Sequence, residues 1–365
     1  MERKLAHIER IVKISPIPNA DKIEKVQVLG WECVAKKGEF KEGELCVYVE
    51  IDAMIPKCIW SGFLWKEGDI KDKYRLKTCK MRGVVSQGLV LSIDILRTEE
   101  NTISLPNCQI LTSLPETIIN DKGQYIEGAD VSGLLCIEQY IPYISANLQG
   151  EIEGDFPFFI PKTDETRIQA YPQLLDIMRG KEVTISEKAD GTSATFYLKD
   201  LHFGVCSRNK ELKPNENNLY WKIVKQYDIE NKLRWINQDL QGIEFAIQGE
   251  IIGQGVQSNK YKLEGNRLCV FNVYNISEHK YLEHKEMQKF CESLQLTIVP
   301  QLGQMVLNHT VEELVELSKG YTLLNPEQIL REGIVVRGVK EEVIENYGRF
   351  SFKVINSNFL IKYGE

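Results

Sequence analysis

Apolar positions recur with period two through the first fifty residues. Ala6, Ile8, Val12 and Ile14 alternate with polar neighbours, as do Val26 and Val28, and then Leu45, Val47, Val49 and Ile51, which predicts short half-buried strands. Pro18-Asn19-Ala20-Asp21 supplies a turn, and Gly30, Gly38 and Gly43 supply short connections. Strands of about five to six residues joined in this way predict a small Greek-key β-barrel. Residues 98 to 155 carry turn-rich pieces such as Leu105-Pro106-Asn107 and Asp121-Lys122-Gly123, and a domain boundary is placed near residue 150.

Beyond Phe156 the periodicity becomes mixed. Leu219, Ile223, Val224, Tyr227 and Trp235 predict an amphipathic helix within 216–236, and Met287, Phe290, Cys291 and Leu294 follow i, i+3, i+4, i+7. Thr310-Val-Glu-Glu313 is a capping box, and Asn325-Pro326 reads as an N-cap followed by a first-turn proline, so each predicts a helix start. Between these lie strand-like runs at Val183–Ile185, Ala194–Leu198, Phe245–Ile252, Leu268–Val273, Gly333–Arg337 and Phe350–Ile355. The fold class is α+β: an N-terminal β-barrel domain over 1–150, then a domain of antiparallel sheets and flanking helices over 151–365.

A 365-residue chain with 43% hydrophobic and 27% charged residues builds ordinary cores and is long enough for two domains. Its opening MERKLAHIERI lacks an apolar secretory core and no stretch reaches the length of a membrane span, so neither secretion nor a membrane is expected. Nine scattered cysteines, without a C-x-x-C pair, predict reduced thiols in an intracellular, cytoplasmic setting and no structural zinc.

The net charge of −7 makes any nucleic-acid site a local matter. Residues 71–82 contain Lys71, Lys73, Arg75, Lys77, Lys80 and Arg82 against a single acidic residue, Asp72. A strand there would aim Lys71, Lys73, Arg75 and Lys77 from one face, as contact with a phosphate backbone requires. A solvated edge strand guarded by lysines explains the same pattern. The OB-fold is the usual nucleic-acid-binding version of such a barrel.

The sharpest local signal is Glu187-Lys188-Ala189-Asp190-Gly191-Thr192-Ser193. By itself it reads equally as an Asp-Gly turn between strands. Downstream come Ser207-Arg208-Asn209, Gln248-Gly249-Glu250-Ile251-Ile252-Gly253, Val270-Phe271-Asn272-Val273, Arg331-Glu332-Gly333-Ile334-Val335-Val336-Arg337 and Ser351-Phe352-Lys353-Val354-Ile355. This order resembles the covalent nucleotidyltransferase superfamily of polynucleotide ligases and capping enzymes. The whole chain resembles more closely the ATP-dependent RNA ligases of the Deinococcus and Naegleria type, which carry an OB domain before the nucleotidyltransferase domain. Arg82-Gly83-Val84-Val85-Ser86-Gln87-Gly88 and Pro161-Lys162-Thr163-Asp164-Glu165-Thr166-Arg167-Ile168-Gln169 also resemble segments of that group.

The resemblance implies three transfers: Lys188 attacks the α-phosphate of ATP, the AMP passes to an RNA 5′-phosphate, and a 3′-OH displaces it to seal the strand. It implies that Lys188, Lys353, Glu250 and Glu332 are catalytic. Glu187, Lys188, Asp190, Gly191, Arg208, Glu250, Phe271, Glu332 and Lys353 would contact the nucleotide, Phe271 by stacking on adenine. Asp190, Glu250 and Glu332 would hold Mg²⁺ or Mn²⁺, the hard cations that oxygen ligands favour. A free lysine is almost wholly ammonium at neutral pH, so Lys188 needs burial or nearby positive charge to become a nucleophile, and a metal ion with Lys353 would supply that field. Arg167 and Gln169 would lie near the nucleotide. The second lysine that many ligases place two residues from Lys353 is absent, because Ser351 and Ile355 stand there, and Lys362 is the nearby candidate.

The partner implied is RNA with 3′-OH and 5′-phosphate ends, including nicked duplexes, acted on by a monomer in RNA repair. Only 12 residues follow Lys353, too few for the C-terminal OB domain typical of DNA ligases and guanylyltransferases, so the layout favours an RNA ligase. The alternatives are another polynucleotide nucleotidyltransferase such as a DNA ligase, and a non-catalytic RNA-binding module.

Overall fold

In the computed structural model, residues 3–66, 68–96, 114–141, 150–345 and 347–364 are described. The chain divides into two compact units, each assembled from separate pieces. The first comprises Met1–Pro142, Gln169–Pro172 and Leu360–Glu365, and the second Tyr143–Ile168 and Gln173–Phe359.

The first unit contains β1 (Ala6–Pro16), β2 (Ile23–Val28), β3 (Trp31–Lys36), β4 (Leu45–Val49), β5 (Ala53–Pro56), β6 (Lys73–Arg75), β7 (Cys79–Met81), β8 (Val84–Ser86), β9 (Leu89–Ser92) and β10 (Glu138–Gln139). Its main sheet is antiparallel in the order β3-β2-β1-β4-β9. The sheet curls because the chain entering β9 returns to β3: Gln87 N donates to Glu32 O at 2.8 Å, and Val34 N to Ser86 Oγ at 3.0 Å. This curled antiparallel sheet is the OB-type barrel that the alternation predicts. The alternation itself breaks in one place. A bulge between Ile11 and Lys13 turns Ile11 inward and leaves Val12 55% exposed, because an extra residue reverses which side chains face the core. In β4 both faces are covered, with Val47 and Val49 in one apolar cluster and Cys46 and Tyr48 in another.

The basic run departs from expectation. The run forms two short strands, Lys73–Arg75 paired with β5 and Cys79–Met81 paired with β8, so Lys71, Lys73, Arg75 and Lys77 do not share one strand face. Leu76 and Thr78 are buried, which turns the chain inward before β7. Arg75 is folded onto Asp52 at 2.8 Å and over the ring of Tyr140, Lys73 pairs with Glu138 at 2.5 Å, and Lys77 donates to the carbonyl of Gly364. Lys71, Lys80 and Arg82 are exposed. The Asp121-Lys122-Gly123 turn forms, closed by Gly123 N on Asn120 O at 2.8 Å, whereas Leu105-Pro106-Asn107 lies outside the described residues.

The second unit holds β11 (Ile152–Asp155), β12 (Thr166–Arg167), β13 (Glu182–Lys188), β14 (Thr192–Lys199), β15 (His202–Cys206), β16 (Lys210–Leu212), β17 (Phe245–Gly253) and β18 (Asn266–Asn275). After these come β19 (Lys280–Tyr281), β20 (Gln301–Val306), β21 (Gly333–Gly338), β22 (Val343–Ile344), β23 (Gly348–Arg349) and β24 (Ser351–Ile355). One sheet runs β11-β16-β15-β14-β17-β18-β19 and the other β12-β24-β21-β13-β20. The six strand-like runs of the sequence fall on β13, β14, β17, β18, β21 and β24. Three helices pack on the first sheet: Ile223, Val224, Ile229, Leu233, Met287 and Phe290 join one core with Phe196, Ile247 and Val270.

The helix predicted within 216–236 is two helices, Leu219–Tyr227 and Ile229–Asp239, separated by Asp228 at φ 52°. Trp235 lies on the outer face, 53% exposed. The helix His284–Ser293 forms, and the Thr310 capping box closes reciprocally, Glu313 N on Thr310 Oγ1 at 3.3 Å and Thr310 N on Glu313 Oε2 at 2.9 Å. Asn325-Pro326 does not start a helix. Asn325 instead accepts from Glu327 N at 2.7 Å and donates to Tyr261 O at 2.8 Å, and the apolar residues that follow serve a bridge of Leu330 to Tyr321 rather than a helical face.

Seven cysteines are free thiols. Cys136 is disulfide-bonded, which corrects the expectation of reduced thiols throughout. Among the described residues no helix is long and apolar enough to cross a membrane.

Candidate active site

Lys188 ends β13, directly opposite Gly333, the first residue of β21. Glycine is required at 333 because any Cβ there would press into the carbonyl of Val354 on β24, and at 191 because it would press into the carbonyl of Ile251 on β17. These two close approaches bring the strand ends together. A cleft of about 250 Å³ opens there, near the lower end of the roughly 300–1,000 Å³ typical of ligand pockets. Glu187, Lys188, Gly191, Arg208, Glu250, Phe271 and Lys353 line it.

Lys188 Nζ sits 2.7 and 2.6 Å from the two carboxylate oxygens of Glu332. Burial works against its charge, but Glu332 and then Glu250 more than offset this, so its pKa stands above the ordinary lysine value. The sequence argument expected the reverse, with Lys353 depressing Lys188. Lys353 is the depressed amine: burial, then Arg167 and Lys188, push it down to about 7. Arg167 faces Lys353 across the parallel pairing of β12 with β24, and so stands where a second cation beside Lys353 was missing from the sequence.

Glu250 is pushed up to about 8, chiefly by burial and also by the negative charges of Glu332 and Asp190. Among the described residues its carboxylate makes no hydrogen bond or ion pair. Asp190 is buried against Lys260 at 2.8 Å, and its backbone N–H donates to Tyr261 Oη at 2.7 Å. Among the described residues no three carboxylate, imidazole or thiol groups form a ready metal cluster. Glu332 and Asp190 are engaged with lysines, and the oxygens of Asp190, Glu250 and Glu332 are of the donor type that a hard divalent cation favours.

Phe271 lines the cleft with the Arg337 guanidinium 5.9 Å from its ring centroid. Arg337 donates to Phe271 O at 2.7 Å and pairs with Glu165 at 2.8 Å. Arg337 and Arg349 outweigh burial and hold the Glu165 carboxyl below its usual range. Arg208 pairs with Asp164. Glu187 is buried and accepts from Thr322 Oγ1 and, at 2.8 Å, from Leu323 N, while burial raises its pKa. Lys260, Asp164, Glu165 and Arg337 were missed by sequence reasoning. Arg337 was legible in principle, since it shares strand parity with Val335, another lining residue, whereas Lys260 lies in irregular backbone with no periodic signal. Gln169 is buried and does not line the cleft, and Lys362 lies over the neighbouring ring of Tyr363.

A pKa near 7 at Lys353 has a measurable consequence. At pH 8.5 a Lys353 amine pushed down to about 7 is mostly neutral in the folded apo-protein, whereas an anion seated beside it favours the ammonium form. Nucleotide binding at pH 8.5 is therefore expected to take up close to one proton, seen as a dependence of calorimetric binding heat on buffer ionisation enthalpy. Lys353→Met should remove that dependence, and a wild-type heat independent of buffer would contradict the assignment.

The model of the RNA ligase family matches residues 181–355, and that of an OB-fold domain matches residues 5–93. An apo variant of Naegleria gruberi RNA ligase superposes with a TM-score of 0.80 at 34% identity, covering 98% of this chain and 97% of that chain. A variant of the same enzyme with ATP and Mn superposes with a TM-score of 0.82 at 35% identity, covering 100% of both chains. The chain belongs to the RNA ligase family. The Naegleria enzyme with PPi gives a TM-score of 0.79 at 35% identity over 98% of each chain. No curated protein matches the chain. The ligase thus joins an OB-fold unit to a β-rich ligase unit with a few helices, and its substrate class is RNA.

Proposed function

We propose that the ligase is ATP-dependent and seals RNA 3′-OH and 5′-phosphate ends, nicked duplexes included, through a lysyl-AMP on Lys188. It would act as an intracellular monomer in RNA repair, with residues 1–150 engaging RNA and 151–365 carrying the chemistry. The observation that carries this reading is the convergence of Lys188, Glu250, Arg208, Phe271 and Lys353 on one cleft from five separate segments, with Glu332 bonded to Lys188 at its edge. The Naegleria enzyme has been solved with ATP and Mn, with AMP and Mn, and with PPi, a set that corresponds to the reactant and products of enzyme adenylylation.

In the first step Lys188 Nζ forms a bond to the α-phosphorus as the bond to the bridging oxygen breaks and pyrophosphate leaves. Lys188 must first shed the proton that it holds against Glu332. Lys353, Arg167 and Arg208 concentrate positive charge where the phosphates would lie, and phosphoryl transfer depends mainly on such positioning and neutralisation. Phe271, backed by Arg337, offers a ring for adenine. Asp190, Glu250 and Glu332 would hold a divalent cation, which would supply further charge neutralisation at the phosphate oxygens. Of the six basic residues of 71–82, the exposed Lys71, Lys80 and Arg82 are those free to meet RNA phosphates.

Incubation with ATP labelled at the α-phosphate and Mg²⁺ or Mn²⁺, followed by peptide mapping, is expected to place label on Lys188. A chase with nicked duplexes should move the label into product when the 3′-OH strand is RNA. Equal transfer with a DNA 3′-OH strand would favour a general polynucleotide ligase, and absence of label with either metal would favour an RNA-binding module.

A further inference from the structure

The first unit carries a segment that neither the curled sheet nor the chemistry uses. Between β5 and β6 the chain leaves Pro56 and returns at Lys73, and Pro56 and Lys73 are paired across the two strands. Within this excursion and its return, Ile59 is 83% exposed, Phe63 64% and Ile70 93%, and Tyr74 is also open to solvent. Such a concentration of apolar surface is unusual on a soluble face and marks an interaction site.

The excursion has internal order. Trp65 Nε1 donates to Lys71 O at 2.8 Å, and Lys57 N to Asp72 O at 2.9 Å. The rings of Trp65 and Tyr74 meet edge to face at 6.0 Å between centroids, and Lys57 Nζ lies 6.0 Å from the Trp65 ring. Lys66 and Lys71 are exposed, and among the described residues neither forms an ion pair. Among the described residues Lys57 Nζ bonds only to the carbonyl of Asp69, at 3.1 Å. Aromatic faces interleaved with unneutralised lysines are what single-stranded nucleic acid recognises, since bases stack on rings while phosphates meet ammonium groups. Over 57–74 the four lysines stand against Glu67, Asp69 and Asp72, so the surface is only weakly positive and the rings would supply most of the affinity.

We propose that Lys57, Phe63, Trp65, Lys66 and Tyr74 form a docking platform for unpaired nucleotides of the RNA substrate, outside the curled sheet. This rests on the RNA-sealing reading given above. The platform would favour substrates with a single-stranded tail or loop over fully paired ones.

Two double variants test it, Phe63→Ala with Tyr74→Ala and Lys57→Ala with Lys66→Ala, both at sites remote in sequence from Lys188. Binding of a fluorescein-labelled 12-nucleotide single-stranded RNA is followed by anisotropy across a salt series. Removing the rings should weaken binding at least about fivefold, the scale of one lost stacking contact. Removing the lysines should reduce the slope of log K against log salt by roughly 1.4, at about 0.7 for each phosphate contact. Self-adenylylation with ATP needs no RNA and should stay at the wild-type level, with an unchanged melting temperature reporting the fold of the first unit. RNA binding within twofold of wild type in both variants would overturn the platform while leaving the ligase reading intact. A wild-type protein that binds the RNA but takes no label from ATP would sink the ligase reading and not the platform.

Discussion

Replacing Lys188 by Met or by Arg is expected to lower self-adenylylation by at least about 10⁴-fold, because the attacking nitrogen is removed and no neighbour replaces it. The alternative amine in the cleft is Lys353, which is already the more nucleophilic of the two by charge state, since its pKa is about 7 whereas that of Lys188 is raised. Position must therefore decide between them, and the pair of variants tests this. Lys188→Met leaves Glu332 without the cation 2.6 Å away, so some loss of stability is expected from an unpaired, nearly buried carboxylate. Lys188→Arg retains a bidentate partner for Glu332 while its guanidinium remains protonated and non-nucleophilic. Loss of label in both, with the Arg variant melting close to wild type, assigns the nucleophile independently of folding. Adenylylation that persists at Lys353 in either variant would falsify the role given to Lys188.

The second large effect is expected at Glu332. Glu332→Gln removes the charge that holds Lys188 as an ammonium ion, so the Lys188 pKa should fall toward, and through burial below, the usual lysine range. The rate at which an amine-directed reagent labels Lys188 at pH 8 should then rise. Adenylylation should nevertheless fall on the order of 10²-fold or more, the scale of losing one preorganised electrostatic contact to a transferring phosphoryl group, because Glu332 is also proposed to help hold the divalent cation. The two readouts move in opposite directions. Should adenylylation rise together with reagent labelling, Glu332 acts only as a brake on the lysine and its metal role is lost. The window for the measurement follows from the sign of the shift. A lysine raised in pKa is fully charged at pH 8 in the wild type, so the contrast with the variant is largest below the wild-type value.

Six strand-like runs of the second unit were legible because alternation and β-branched residues report directly on a half-buried strand. Register was not. That Lys188 stands opposite Gly333, and Arg167 opposite Lys353, depends on strands far apart in sequence. The same limit explains the basic run. Period-two spacing at Lys71, Lys73, Arg75 and Lys77 implied a shared face, but Asp52, Glu138 and the Gly364 carbonyl each claimed one cation, and only folding brings those partners near. Asn325-Pro326 carries a sound helix-start signal, yet the side chain is bound to Tyr261 O instead, a tertiary contact outweighing a local preference.

By itself the sequence determined the β-first, α+β order of elements and the spacing of the segments that carry Lys188, Glu250, Phe271, Glu332 and Lys353, since residue type and local spacing are properties of the chain. The tertiary structure alone decided which charges meet. Glu332 rather than Asp190 holds Lys188, Lys260 holds Asp190, Lys353 is the amine whose pKa burial lowers, and Arg337 backs Phe271. The reason is physical. A charge's behaviour in a protein is set by burial and by neighbours within a few ångströms, and those neighbours are assembled from segments 66 to 186 residues apart in sequence.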